Sequence, residues 1–267
     1  MMLNLSENKE SGVSWLQADW PAPEWVDARV FTRCGGVSQG AWRGLNLGLH
    51  VGDQAADVER NRRLMREVLA HNYRLQWLRQ VHGTDVVDID TAADNPPVKE
   101  GDAVCIRQPG DGAVIMTADC LPVLFTDQEG TVAAAAHAGW RGLVAGVLEN
   151  TVAAMQRPPE TLLAWLGPAI GPCHFEVGDE VRQAFLGKSP DSESVRHSIA
   201  QAFSPLPETG KWLADLYALA RSRLQAVGVN EIYGGGLCTY CDDKHFYSFR
   251  RESVTGRTAS VICIKAR

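Results

Sequence analysis

Short apolar runs of strand length constrain this chain more than any other feature. They cover residues 76–81, 86–89, 103–106, 113–117, 123–126, 131–136, 162–166, 231–233 and 260–265, most of them bounded by turn residues. Several are apolar at successive rather than alternate positions, as in strands covered on both faces. Ala133, Ala134, Ala135 and Ala136 favour helix by intrinsic propensity. They lie between the Glu129-Gly130 turn and Gly139, however, where a strand packed closely by a neighbour fits better. Three stretches carry helical spacing instead: 57–71, with Val58, Met65, Val68 and Leu69 on one side, then 143–156 and 211–227. This mixture predicts an α/β sandwich built on a mixed central sheet. The chain contains no G-x-G-x-x-G fingerprint, so a Rossmann domain and a dinucleotide cofactor are not expected. The Pro-containing breaks at Pro96-Pro97, Pro158-Pro159 and Ser204-Pro205 are too short for interdomain linkers, and no repeat period is visible. A single domain across 1–267 is the expectation.

Charge narrows the partners. Lys+Arg 26 against Asp+Glu 32 gives a net charge of −6, which is unsuited to neutralising a nucleic-acid backbone but compatible with a local basic pocket for a small anion. No run of about 18 apolar residues and no secretory core at residues 1–15 is present, so no membrane partner is expected. Seven cysteines, at 34, 105, 120, 173, 238, 241 and 263, are odd in number and widely spread, unlike the framework of a small secreted domain. A reducing cytoplasm with most thiols in the core is the simplest setting. The composition leaves the oligomeric state open.

The richest chemistry lies in His137-Ala-Gly-Trp-Arg-Gly142, which follows an apolar strand and opens a helix placed from near Leu143. Val144, Val147, Leu148, Thr151, Val152 and Met155 give that helix its apolar face. A helix N-terminus beside the forked guanidinium of Arg141 suits phosphate or carboxylate. The bland alternative is a solvated Arg141 in a glycine turn. His137 ends one strand, Cys120 in Thr117-Ala-Asp-Cys-Leu-Pro122 ends another, and His82 in Gln80-Val-His-Gly83 ends a third. Convergence of these donors at one edge of the sheet is expected. Cys238-Thr-Tyr-Cys241, with His245 nearby, has half the spacing of a zinc ribbon but no second pair, and reads as core or pocket wall; Cys173-His174 follows a Gly-Pro turn and reads as structural.

These segments also resemble a known family. Gln80-Val-His-Gly83, Ala118-Asp-Cys-Leu-Pro-Val-Leu124, His137-Ala-Gly-Trp-Arg-Gly142, Phe249-Arg-Arg251 and Thr255-Gly-Arg257 are similar to motifs of the YfiH-like, laccase-domain family. Thr32-Arg-Cys-Gly-Gly-Val37 and Asn46-Leu-Gly-Leu-His-Val-Gly52 extend the likeness from about residue 30 to the C-terminus. Its members are described both as polyphenol oxidases and as purine nucleoside phosphorylases with adenosine deaminase activity.

The resemblance implies a metal site, usually zinc with copper as the alternative, held by His82, Cys120 and His137. Two imidazoles and one thiolate leave a fourth tetrahedral position open for water or substrate. It further implies an enzyme acting on adenosine, inosine, guanosine or methylthioadenosine plus phosphate. A multicopper oxidase holds several ions on many imidazoles, often in H-x-H pairs; this chain has seven His and no H-x-H. Zinc instead suits hydrolytic deamination, although the usual H-x-E and P-C-x-x-C deaminase signature is absent. Arg141 is the candidate phosphate ligand, supplemented by Arg250, Arg251 or Arg257. Asp119 is a candidate acid or base, or a carboxylate that orients a His. Arg33 and Asn46 either line the pocket or face solvent. The same cluster would also serve a Cys hydrolase with Cys120 as nucleophile and His137 or His82 as base, or a non-catalytic metal- or purine-binding protein.

Overall fold

The computed structural model describes residues 4–69, 72–188 and 193–266. Its apolar runs become strands of two mixed six-stranded sheets stacked face to face. The first sheet runs in the order Leu5–Glu7, Ser14–Gln17, Val26–Phe31, Thr258–Ile264, Asp111–Thr117, Arg74–Gln76, antiparallel except for the last pair. The second runs Glu231–Gly234, Leu162–Leu166, Leu121–Asp127, Ala133–Ala138, Ala103–Ile106, Val86–Asp88, with antiparallel pairs in the middle and a parallel pair at each side. The expected mixed-sheet α/β sandwich is present, but the sheet is doubled. A run that is apolar on both faces cannot by itself say whether the second face of the strand meets a helix or another sheet.

Three packed layers of side chains hold the stack together. Val30, Ile115 and Ile262 of the first sheet meet Ile106, Leu124, Ala133 and Ala135 of the second. The outer face of the first sheet, with Phe31, Val114 and Val261, takes Met65, Val68 and Leu69 of helix Ala55–Leu69. The outer face of the second, including Ala134 and Ala136, is covered by the remaining helices. The alanine run is therefore a strand because its methyl groups alternate between two tightly filled interfaces, and packing overrides propensity.

Boundaries shift where local chemistry intervenes. The stretch 143–156 forms two helices, Trp140–Ala145 and Val147–Met155, parted at Gly146 by φ +109°, a left-handed conformation that glycine adopts without strain. The stretch 211–227 is a strand, Lys211–Ala214, followed by helix Leu216–Ala226. Asp215 divides them because its carboxylate caps the helix, accepting from the amides of Tyr217 and Ala218. Helix Ala55–Leu69 matches its expectation, whose residues 70 and 71 lie outside the described residues. The run 76–81 breaks into Arg74–Gln76 and Leu78–Arg79. Beyond them, the Gln80 amide accepts from Met116 N and donates to Met116 O, both at 2.8 Å, in place of a ladder partner. Among the described residues no helix is long and apolar enough to cross a membrane.

One crossing decides where the site lies. Strand Asp111–Thr117 belongs to the first sheet and Leu121–Asp127 to the second, so residues 118–120 carry the chain from one layer to the other at an end of the sandwich.

Candidate metal centre and pocket

Strand register brings the donors to that crossing. Ala138 pairs with Leu121 and His137 with Pro122, which sets His137 beside the turn bearing Cys120. Ala136 pairs with Ala103 on the other side, and the His137 amide donates to the Asp102 carbonyl at 2.7 Å. His82 arrives from the loop after Leu78–Arg79. The ligating atoms of His82, Cys120 and His137 lie within 4.8 Å of one another. Cys120 Sγ is 3.8 Å from His82 Nε2, and the two imidazole rings stand edge to face at 4.7 Å. A tetrahedral zinc with its usual Zn–N and Zn–S bonds spaces its ligand atoms about 3.5 Å apart. The three side chains therefore fit a metal with small adjustments, and the pocket side stays open for a fourth ligand.

Asp102, fully buried, organises this centre. Its Oδ1 accepts from His137 Nδ1 at 2.8 Å and from the His82 amide at 2.9 Å; its Oδ2 accepts from the Gly83 amide at 2.7 Å and the Val81 amide at 3.2 Å. Because the carboxylate only accepts, His137 carries its proton on Nδ1 and turns Nε2 toward the site. Burial would push the Asp102 carboxyl up, but hydrogen bonds from His137, Gly83 and Val81 outweigh it and hold the group below the usual carboxylate range. Burial also opposes charge on Cys120, yet the charges and hydrogen bonds of His137 and His82 bring that thiol down to about 6. His137, against its own burial, is raised to about 9 by Cys120 and Asp102. Metal-free, the pair is a thiolate beside an imidazolium.

The glycines of the H-A-G-W-R-G segment are required by close approach. A Cβ on Gly139 would stand 2.9 Å from both Cys120 Sγ and His82 Cδ2, and one on Gly142 would stand 2.8 Å from the Gly83 carbonyl. Two non-glycine residues here occupy the left-handed region, His82 at φ +61° and Asp119 at φ +93°. Such positions cost roughly 1–3 kcal/mol each and persist only where surrounding bonds fix them. Asp102 fixes the His82 loop.

Asp119 lines the pocket, as expected of a site residue, but does not orient His137. Its Oδ1 accepts from Thr239 Oγ1 and its Oδ2 from the Arg250 amide, both at 2.7 Å. Both oxygens are engaged, and the His137 orienter is Asp102. Asp119 thus ties the crossing turn to two loops of the pocket wall. Sequence reasoning missed Asp102; the signal was a lone carboxylate immediately before the wholly apolar strand Ala103–Ile106.

Around the three donors opens a pocket of about 460 Å³. Arg141, Arg250 and Arg257 line it, each over an aromatic ring: Arg141 4.5 Å from Trp140, Arg250 5.6 Å from Phe175 and Arg257 6.0 Å from Phe249. Phe249 is 55% exposed, an apolar platform at the pocket wall. Arg141 sits in a helix of only six residues, so side chains rather than a long helix dipole supply the positive field.

Three other expected residues lie elsewhere. Arg33 is outside this pocket: it stacks 4.6 Å over Tyr247, donates to the Asp243 carbonyl and lines a separate cleft. Asn46 is fully buried and accepts from the Arg257 amide at 2.9 Å, so it positions Arg257 from behind. Arg251 is spent on the carbonyls of Thr239, Tyr240 and Phe246. Neither composition nor spacing distinguishes a guanidinium that binds carbonyls from one that faces a cavity.

A family model described as multi-copper polyphenol oxidoreductase laccase matches residues 27–265. The chain belongs to this laccase-like family. Within it, a purine nucleoside phosphorylase of Pseudomonas aeruginosa is 52% identical over 252 residues, 94% of this chain and 99% of that one. The purine nucleoside phosphorylase YfiH of Escherichia coli is 48% identical over 243 residues, 91% of this chain and 96% of that one. Among solved structures, a Neisseria meningitidis protein superposes with a TM-score of 0.86 at 46% identity, covering 94% of this chain and 99% of that one. YlmD from Geobacillus stearothermophilus reaches a TM-score of 0.86 at 31% identity, covering 98% and 99%. The laccase-like fold thus extends over nearly the whole chain.

Proposed function

We propose that this chain is a zinc-dependent purine nucleoside phosphorylase with a second, adenosine deaminase activity, acting on adenosine, inosine, guanosine and methylthioadenosine. The observation that carries this is the placement of a three-donor centre and three arginines in one pocket with the aromatic rings of Trp140, Phe175 and Phe249. The names of the two relatives above point the same way. Zinc fits the donor set better than a copper cluster does, since two imidazoles and a thiolate make one tetrahedral site with an open position and too few nitrogens for several coppers. We take the chain as one catalytic domain working in the cytoplasm, with small molecules as its partners.

Phosphorolysis forms a bond from a phosphate oxygen to ribose C1′ and breaks the bond from C1′ to the purine, which leaves with its electron pair and takes up a proton. Arg141, Arg250 and Arg257 hold the phosphate by charge-assisted bonds and set its oxygen toward the sugar. Phe249 and Phe175 pack against the base and exclude water from it. Asp102 keeps His137 in one tautomer and the His82 loop in place. When bound, the metal supplies Lewis-acid charge and a water that ionises near neutral pH. Deamination would draw on that chemistry at C6 of adenine, in a site built independently of the usual deaminase signature.

A second function is favoured by one specific observation: Cys120, His137 and Asp102 stand in the order nucleophile, base and orienting carboxylate, as in a Cys hydrolase. The experiment that separates the two incubates metal-quantified protein with adenosine, with and without phosphate. Adenine plus ribose 1-phosphate, formed only with phosphate and lost in Cys120→Ala, supports phosphorolysis; inosine supports deamination. Full activity in a metal-free preparation that iodoacetamide abolishes would establish the hydrolase instead.

A further inference from the structure

A second cluster of soft donors lies outside the pocket. Cys173, His174, Cys238 and Cys241 bring their ligating atoms within 4.8 Å of one another. Cys173 Sγ is 3.6 Å from Cys238 Sγ and 3.4 Å from Cys241 Sγ, and Cys241 Sγ is 3.3 Å from His174 Nδ1. These spacings approximate the edges of a tetrahedron around one ion, which are about 3.5–3.8 Å for zinc–nitrogen and zinc–sulfur bonds. They are far longer than a disulfide.

The surroundings are built for these positions. The Gly171 amide donates to Cys238 Sγ at 3.2 Å, the kind of bond that orients and stabilises a ligating thiolate. A Cβ on Gly171 would stand 3.1 Å from Cys238 Cβ, a tight contact that would press on the Cys238 backbone by a few tenths of an ångström. His174 lies flat on Tyr240, ring centroids 4.0 Å apart and planes 16° from parallel, which fixes the direction of Nδ1. Core packing does not account for the thiols, because Cys173 and Cys241 are exposed whereas Cys105 and Cys263 are the buried pair. His245, the partner suggested by spacing, is instead engaged by Asp242 at 2.8 Å. The complement to Cys238-x-x-Cys241 is Cys173-His174, reached only through the fold.

We propose that Cys173, His174, Cys238 and Cys241 form a second, closed metal site that takes a soft divalent cation of the zinc type and staples two pocket loops. Three thiolates and an imidazole complete a tetrahedron, leaving no open position, as in structural zinc sites. The stapled loops carry pocket residues: Ile170 and Phe175 flank one pair, while Thr239, inside the other, holds Asp119. The Arg250 guanidinium also donates to the Glu176 carbonyl at 2.7 Å. The site stands independently of the proposed reaction.

The test counts metal on reduced protein purified with zinc. Two equivalents per chain are expected in the wild type, one in Cys120→Ala, one in Cys173→Ser/Cys241→Ser, and none in the triple variant. His174→Ala is a milder perturbation should the double variant fold poorly. Cobalt loaded into Cys120→Ala should give a sulfur-to-metal absorption roughly three times that of the double variant, as three thiolates against one predict. In Cys120→Ala, zinc should also slow amide exchange in residues 171–175 and 238–242. One equivalent in the wild type that disappears with Cys120→Ala alone would overturn the proposal. So would a Cys173–Cys241 disulfide in the reduced preparation, or two equivalents that survive the double variant.

Discussion

Asp102→Asn is the most informative single change in this protein. Both oxygens of Asp102 accept two hydrogen bonds each, and the group has no exposed surface through which water could substitute. Asparagine offers one accepting oxygen and one NH₂. With the oxygen toward His137 and the His82 amide, the NH₂ faces the donors of Val81 and Gly83. Two amides of the partly exposed residues Val81 and Gly83 then face a donor instead of an acceptor, and because water can reach this loop the cost falls toward the low end of about 1–3 kcal/mol each. With the amide turned round, His137 must accept at Nδ1 and carry its proton on Nε2, where it blocks metal binding. Either way, loss of this carboxylate should weaken metal affinity by about 10–100-fold, the usual cost of removing a His-orienting partner. Urea unfolding of the metal-free protein and competition for zinc against a chelator measure the two effects separately. A variant that unfolds and binds zinc like the wild type would refute the role assigned to Asp102.

Other perturbations test separate parts of the molecule. Replacing Arg250 or Arg257 by Met should raise KM for phosphate about tenfold or more, as loss of a charge-assisted bond worth roughly 1.5–3 kcal/mol requires, whereas Arg33→Ala, outside the pocket, should leave steady-state kinetics unchanged. In metal-stripped protein, Cys120 should be thiolate above about pH 6 and become a thiol as pH falls through that value, so its ultraviolet thiolate absorbance and its alkylation rate should fall together there and be absent in Cys120→Ala. Gly139→Ala should reduce metal occupancy while circular dichroism stays native, since its Cβ meets the donor side chains rather than the core. Ala135→Leu, in the layer between the sheets, should cost about 1–3 kcal/mol in urea unfolding through overpacking.

The sequence by itself located most of the buried strands from residue 76 onward, though not Val26–Phe31, and showed which three donors belong together and, through its motifs, the family. Those features are local: apolar runs and short spaced motifs survive without knowledge of the partner strand. Tertiary structure decided how many sheets there are, because a strand buried on both faces reads the same whether helix or sheet covers it. It also decided that Asp102 rather than Asp119 orients His137, through a contact between residues 35 apart in the chain that the pairing of their strands creates. It sorted the arginines by place: Arg141, Arg250 and Arg257 line the pocket of the three donors, Arg33 lines a separate cleft, and Arg251 is held by the carbonyls of Thr239, Tyr240 and Phe246. And it joined Cys173-His174 to Cys238-x-x-Cys241, which no spacing rule connects. Hydrogen-bond and ligand geometry depend on distances of a few ångströms between residues far apart in the chain, and only the packed fold sets those distances.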